Sequence, residues 1–182
     1  LMTQGRNDVL FVVAGNIDLT ANLPGKLGII GRKRGDLSDY ARLEGVSDMF
    51  LFLGHVLNPE RVLAGCDLLV KPTREANPWS RDILEAMAMG IPVISFGTYD
   101  VFVKNNETGY LFTDYDAGEV ARKISDLALS PKKVRKMGQK AKQIVEDQCN
   151  ASQKAKDLTK VWLEVSRKRG VTATEAFHFS TK

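Results

Sequence analysis

Residues 74–97 read R-E-A-N-P-W-S-R-D-I-L-E-A-M-A-M-G-I-P-V-I-S-F-G. Ser80 is a candidate N-cap, and from Ile83 onward the segment is apolar nearly all round: Ile83, Leu84, Ala86, Met87, Ala88 and Met89. A helix of that composition is predicted to be buried. Pro92 to Ser95 then forms a continuous apolar run that stops before Gly97, the signature of a parallel strand covered on both faces. Within the predicted buried helix Glu85 is the anomaly, because a buried carboxylate needs partners. With Ser80 as cap it lies about one turn inside the helix, where the dipole tolerates a negative charge. Two roles stay open for Glu85: complementing that dipole, or binding a ligand.

Working outward, the same kind of strand recurs. Asp8 to Ala14 (D-V-L-F-V-V-A) ends at Gly15, Met49 to Leu53 (M-F-L-F-L) ends at Gly54, and Leu68 to Val70 precedes Lys71 and Pro72. Helical segments separate them, with Asp39 to Glu44 closed by Gly45, and Pro59 to Gly65 led by Asn58 as N-cap with Pro59 at the first helical position. Strands alternating with short helices predict right-handed crossovers and an α/β fold: a Rossmann-like, doubly wound parallel sheet flanked by helices. After Gly109 the pattern turns helical. One stripe is Val120, Ile124 and Leu127, a second is Val134, Met137, Ala141 and Ile144, and a third is Ala155, Leu158, Trp162 and Val165. All three are expected to pack on the sheet by their apolar sides. The expected organisation is a domain over 1–150 and a helix with tail over 151–182, in which 171–182 shows no period and is loosely ordered.

Length and composition narrow the function classes. With 182 residues and 43% hydrophobic content, the chain suits one α/β domain with a substantial core. No apolar run approaches the ~18 residues of a membrane span, and no export signal opens the chain. Cys66 and Cys149 lie far apart without zinc-site or disulfide spacing, which fits a reducing, cytoplasmic compartment. The net charge of +4 is local: residues 130–169 hold twelve Lys/Arg against four Asp/Glu. A solvated helical face is the favoured reading. A weak contact with the inner membrane surface is the subordinate one, and nucleic acid is disfavoured because no aromatics interleave with the charges. With His55 and His178 the only histidines and no clustered carboxylates, no dedicated metal site or other cofactor is expected.

The chemistry concentrates where the loop after Thr73 enters the helix. Free N–H groups at Arg81 to Ile83 would face an anion, at the C-terminal end of a strand, where open α/β sheets bind ligands. A carboxylate just behind them could accept two hydrogen bonds from a ribose diol while the amides hold phosphates.

These residues resemble the "glycosyl transferases group 1" family of GT-B enzymes. Its C-terminal domains carry a Glu, seven residues, and a second Glu followed by Ala-Met-Ala-x-Gly-x-Pro-Val-Ile, and E-A-M-A-M-G-I-P-V-I-S at Glu85 to Ser95 matches closely. The likeness extends in order through F-V-V-A-G at Phe11 to Gly15, G-V-S-D-M-F-L-F-L-G-H-V at Gly45 to Val56, D-L-L-V-K-P-T at Asp67 to Thr73 and N-N-E-T-G-Y-L-F at Asn105 to Phe112. The resemblance implies the C-terminal, nucleotide-sugar-binding half of a GT-B fold with a helical C-terminus. Glu85 would bind the nucleotide ribose, the backbone of Trp79, Ser80 and Arg81 would face sugar and phosphates, and Gly54, His55 and Val56 would lie at the base-binding loop. The family's first Glu falls on Asn77, with Glu75 the nearest acid, two residues too early. Asn77 can hydrogen-bond sugar hydroxyls but brings no charge to an oxocarbenium-like centre.

By resemblance the parent enzyme is a retaining glycosyltransferase that moves a sugar from a UDP, GDP or ADP donor to a hydroxyl acceptor without a metal. The family's first strand and basic diphosphate clamp are expected to precede this chain, as is the N-terminal acceptor domain, and the fragment alone is expected to be inactive. G-R-K-R-G at Gly31 to Gly35 reads as an exposed basic turn. The third helix is expected to pack poorly without that partner domain, leaving Trp162 partly exposed. The rival readings are a GT-B sugar-nucleotide epimerase and a non-catalytic sugar-nucleotide-binding or interaction domain in which Asn77 records lost activity.

Overall fold

The run Pro92–Ser95 becomes the centre of the sheet. In the computed structural model, which describes residues 6, 8–20, 22–72 and 80–168, strand β4 (Val93–Phe96) is buried at every position. It lies between β3 (Leu69–Val70) and β5 (Gly109–Phe112), parallel to both. Leu69 and Val70 pair with Val93 and Ile94, and Val93 to Phe96 pair with Gly109 to Phe112 in register. A two-sided apolar strand here is the middle of a parallel sheet, as its lack of alternation requires. Gly109 is obligatory in this register, since a Cβ on it would overlap the Val93 backbone.

A second parallel pair is formed by β1 (Phe11–Ala14) and β2 (Phe50–Gly54), with Phe11 opposite Phe50. Phe11 and Phe50 stack at 5.1 Å between ring centroids, and Phe50 stacks on Phe52 at 5.6 Å. The expectation of full burial fails for β2. Phe50 and Phe52 are half-buried whereas Leu51 and Leu53 are exposed, so the strand is covered on one face only. Five consecutive apolar residues concealed that period of two.

The helices are α1 (Gly25–Arg32), α2 (Leu37–Leu43), α3 (Pro59–Leu63), α4 (Arg81–Ala88), α5 (Ala117–Ala128), α6 (Pro131–Gln148) and α7 (Ala151–Lys168). Glycine at 25, 28 and 31 hides α1 from propensity reasoning, because each glycine lowers helix propensity. The basic turn expected at Gly31–Gly35 is therefore half right: Gly31 and Arg32 end α1, while Lys33 and Arg34 form an exposed turn with Arg34 at φ 58°. Helix α2 starts two residues before the expected Asp39, because Asp36 caps it by accepting from the amides of Ser38 and Asp39 while Asp39 reaches back to the Asp36 amide. Asn58 does stand at the N-cap of α3, with no capping bond from its side chain.

Two compact units divide the chain, 1–142 and 143–182. In the first, Ile94 and Tyr110 of the sheet, Ile124 and Leu127 of α5 and Met137 of α6 form one buried cluster, flanked by Val9, Phe11, Leu68, Val70, Phe112, Val120 and Val134. The stripes expected on α5 and the start of α6 are thus core. Helix α6 also comes to backbone contact with the turn after α4: Gly90 sits at φ 77°, and a Cβ on Gly138 would overlap the Gly90 carbonyl. In the second unit the residues of the apolar stripe of α7 are exposed. Leu158, Val161 and Val165 are exposed, and Trp162 is 56% exposed, the partial exposure expected for it. Among the described residues no helix is long and apolar enough to cross a membrane.

Candidate functional site

Lys71 follows β3 and its amide still donates to the Ile94 carbonyl at 2.8 Å, so the sheet fixes its backbone. Ser80 is the extended N-cap residue of α4, at φ −66° and ψ 163°, yet its hydroxyl does not cap the helix amides. It donates instead to Asp82 and accepts from the Lys71 ammonium at 2.6 Å. Lys71 Nζ also lies 2.6 Å from each carboxylate oxygen of Asp82, and the Ile83 amide donates to Asp82 Oδ1 at 3.0 Å. The head of α4 is therefore a small polar knot bridging β3 and the helix. The Lys71 side chain is 18% exposed and that of Asp82 47%. Burial pushes the Asp82 carboxyl up, but the hydrogen bonds from Lys71 and Ser80 and the Lys71 charge outweigh it and hold the group below the ordinary carboxylate range.

Glu85 lies one turn further on, and here the expectation is corrected. The carboxylate is not buried: its side chain is 41% exposed and faces Arg81, whose Nε is 3.4 Å away. The buried stripe of α4 is Ile83, Ala86 and Met87, whereas Ala88 and Met89 are exposed. A helix can be apolar nearly all round and still have an open side, because composition does not say how many neighbours surround it. The exposed Arg81–Glu85 pair adds little to stability, and Glu85 keeps lone pairs accessible from solvent, as a ligand-binding acceptor must.

Of the other predicted site residues, α4 brings Ser80, Arg81 and Glu85 together. Gly54, His55 and Val56 stand at the C-terminal end of β2, where Gly54 turns with φ 64° and its carbonyl accepts from the Gly15 amide at 2.6 Å. His55 is exposed and Val56 half-buried. Asn77, Trp79 and Glu75 lie outside the described residues, as does the tail from Val171. Of the amides expected to face an anion, that of Ile83 is held by Asp82. Sequence reasoning missed Lys71 and Asp82. The available signal was a lysine closing an otherwise apolar strand and an aspartate in the first turn of the next helix.

A cavity of about 330 Å³ opens at the other ends of these strands, lined by Ala64, Cys66, Asp67, Met89, Gly90, Ile91, Val134 and Arg135. Burial, and then the neighbouring Asp67 charge, push the Cys66 thiol up, and it donates to the Val62 carbonyl at 3.2 Å. A protonated, hydrogen-bonded thiol is a poor nucleophile. Among the described residues no group of three or more His, Cys, Asp or Glu could hold a metal ion.

This geometry can be set beside known proteins. N-acetyl-alpha-D-glucosaminyl L-malate synthase of Bacillus anthracis is 29% identical over 124 residues, 67% of this chain and 32% of that enzyme. The crystal structure of Anabaena HepE in complex with UDP-glucose matches with a TM-score of 0.68 at 22% identity, over 87% of this chain and 43% of that one. The C-terminal domain of LpcC, a glycosyl transferase group 1 family protein from Francisella tularensis, matches with a TM-score of 0.53 at 21% identity, over 62% of this chain and 60% of that one. The chain thus spans about a third of the synthase and less than half of HepE. The profile of "Glycosyl transferases group 1" matches residues 2–144, which take in β1 through β5 and the whole head of α4. With the parallel sheets, the E-A-M-A-M-G-I-P-V-I segment and this match in agreement, the chain belongs to the glycosyl transferases group 1 family and has the Rossmann-like fold of a GT-B domain.

Proposed function

We propose that this chain is the donor-binding half of a retaining glycosyltransferase, which transfers a sugar from a nucleotide-diphosphate donor to a hydroxyl acceptor held by a separate domain. The observation that carries the proposal is the accessible Glu85 carboxylate one turn behind the head of α4, with the Lys71 ammonium beside that head. A carboxylate so placed can accept two hydrogen bonds from a ribose diol, and cations and helix amides at the same end of α4 can neutralise a diphosphate. The chemistry is then mainly electrostatic: charge on the departing diphosphate is stabilised in place while a cleft between two domains excludes water. Asn77, by resemblance, takes the position of the family's first Glu and would meet the transferred sugar through its amide. The complexes of HepE with UDP-glucose and with UDP support a nucleotide sugar as ligand. The free Cys66 and Cys149 support a cytoplasmic setting, and the basic segment 130–169 supports at most a weak contact with the inner membrane surface.

The test is calorimetric titration of UDP, GDP and ADP into the wild type and Glu85→Gln. If Glu85 holds the ribose, the best nucleotide binds at least about tenfold more weakly to the variant, the equivalent of one charge-assisted hydrogen bond, with the melting temperature unchanged. An unchanged dissociation constant puts the site elsewhere. Asn77→Glu in a protein that also carries the acceptor domain addresses the non-catalytic reading: transfer gained only in that variant would mean the native domain binds without turning over.

A further inference from the structure

The donors at the head of α4 already hold an anion, and it belongs to the protein. The Lys71 ammonium, the Ser80 hydroxyl and the Ile83 amide all converge on the Asp82 carboxylate, the ammonium reaching both oxygens at 2.6 Å and the amide reaching Oδ1 at 3.0 Å. A cation, a hydroxyl and a first-turn amide are the set that holds a phosphate. We propose that Asp82 is an internal stand-in for the donor's phosphate, which the incoming nucleotide diphosphate displaces from Lys71, Ser80 and the Ile83 amide. The inference rests on the donor-site reading above and adds a regulation to it: affinity is set by competition between a side-chain carboxylate and the ligand.

Two observations and one chemical argument support the exchange. Lys71 is 18% exposed, so without a partner it would be a charge largely withdrawn from water, and Asp82 neutralises it. Asp82 is 47% exposed, so on displacement it turns to solvent instead of being stranded as an unpaired buried charge. The exchange also favours the ligand, because a diphosphate carries more charge and more acceptor oxygens than one carboxylate. A carboxylate serving only as a structural tie would hold the knot together whether or not ligand was present, and its removal would loosen the site.

The experiment titrates UDP and, separately, inorganic pyrophosphate into the full chain as wild type, Asp82→Asn, Asp82→Ser, Lys71→Met and Glu85→Gln, with thermal melts of each. A stand-in predicts that both Asp82 variants bind both probes about tenfold more tightly and that Lys71→Met binds them about tenfold more weakly, from the worth of one charge-assisted contact. Glu85→Gln should weaken UDP while leaving pyrophosphate unchanged. Asp82 variants that bind no tighter, with Glu85→Gln still weakening UDP, would overturn the stand-in and leave the donor site standing. UDP affinity indifferent to Glu85 and to Lys71 would overturn both. Should the variants fail to fold, the wild type decides by nuclear magnetic resonance: saturating UDP must shift the Asp82 carboxyl carbon and the Ile83 amide, and an unmoved Asp82 signal overturns the proposal.

Discussion

Helices α4 and α7 carry apolar stripes of similar strength and meet opposite fates. On α4 the stripe of Ile83, Ala86 and Met87 is wholly buried, and that anchorage fixes the polar residues at its head. On α7 the stripe of Leu158, Val161, Trp162 and Val165 lies open, and no residue of the helix is buried. Periodicity therefore identifies a helix and its apolar face, but burial is a property of what comes to cover that face. Only a covered helix can hold a side chain still enough for chemistry, because rigid placement of Ser80, Asp82 and Glu85 depends on the packing beneath them.

Truncating each stripe should show the largest contrast between the two helices. Ile83→Ala removes a side chain with no exposed surface and should cost about 3 kcal/mol in urea unfolding, whereas Leu158→Ala on the open face should cost less than about 1 kcal/mol. Equal losses would mean that α7 is covered in solution. A smaller effect is expected at the turn that anchors α4. Gly138→Ala inserts a methyl group against the Gly90 carbonyl and should destabilise by about 2 kcal/mol, although Gly→Ala within a helix ordinarily stabilises. An increase in stability there would show that α6 can move away from Gly90.

The smallest difference concerns the ion pairs of the two helices. Because the folded Asp82 carboxyl lies below its unfolded value, its contribution is present above about pH 4 and is lost as pH falls through the lowered folded value. Asp82 is half-exposed and partly screened while Lys71 is largely withdrawn from water, so Asp82→Asn should remove about 1 kcal/mol of stability at pH 7 and flatten the acid limb of the stability curve. Asp157→Asn on α7, whose Lys160 partner is 3.8 Å away and largely exposed, should change stability by less than about 0.5 kcal/mol.

Local patterning made much of the fold readable. The run from Pro92 to Phe96, apolar apart from Ser95, reads as a buried strand and is one, and the stripes on α5 and on α6 up to Ala141 found the core that their spacing anticipates. Strand β5 escaped that reading because G-Y-L-F is too short to display a period and is followed by strongly helical sequence. Helix α1 escaped because its glycines argue against a helix one residue at a time, while its packing argues for one collectively. At the candidate site, Glu85 stood out as an acid in apolar surroundings. The partnership of Lys71 with Asp82 did not, since eleven residues separate them and neither is unusual alone.

The features legible in the chain alone are local and repetitive: the crossover pattern, the turn residues, the apolar stripes and the family segment from Glu85 to Ser95. Each follows from steric preference and hydrophobic spacing over a few neighbouring residues. Three-dimensional packing settles which surfaces are covered and which charges meet. The exposed second face of β2, the half-open setting of Glu85, the open stripe of α7 and the closure of Lys71 on Asp82 belong to this second kind. Burial and ion pairing are set by groups brought near in space, and the chain's local preferences do not record which distant groups those will be.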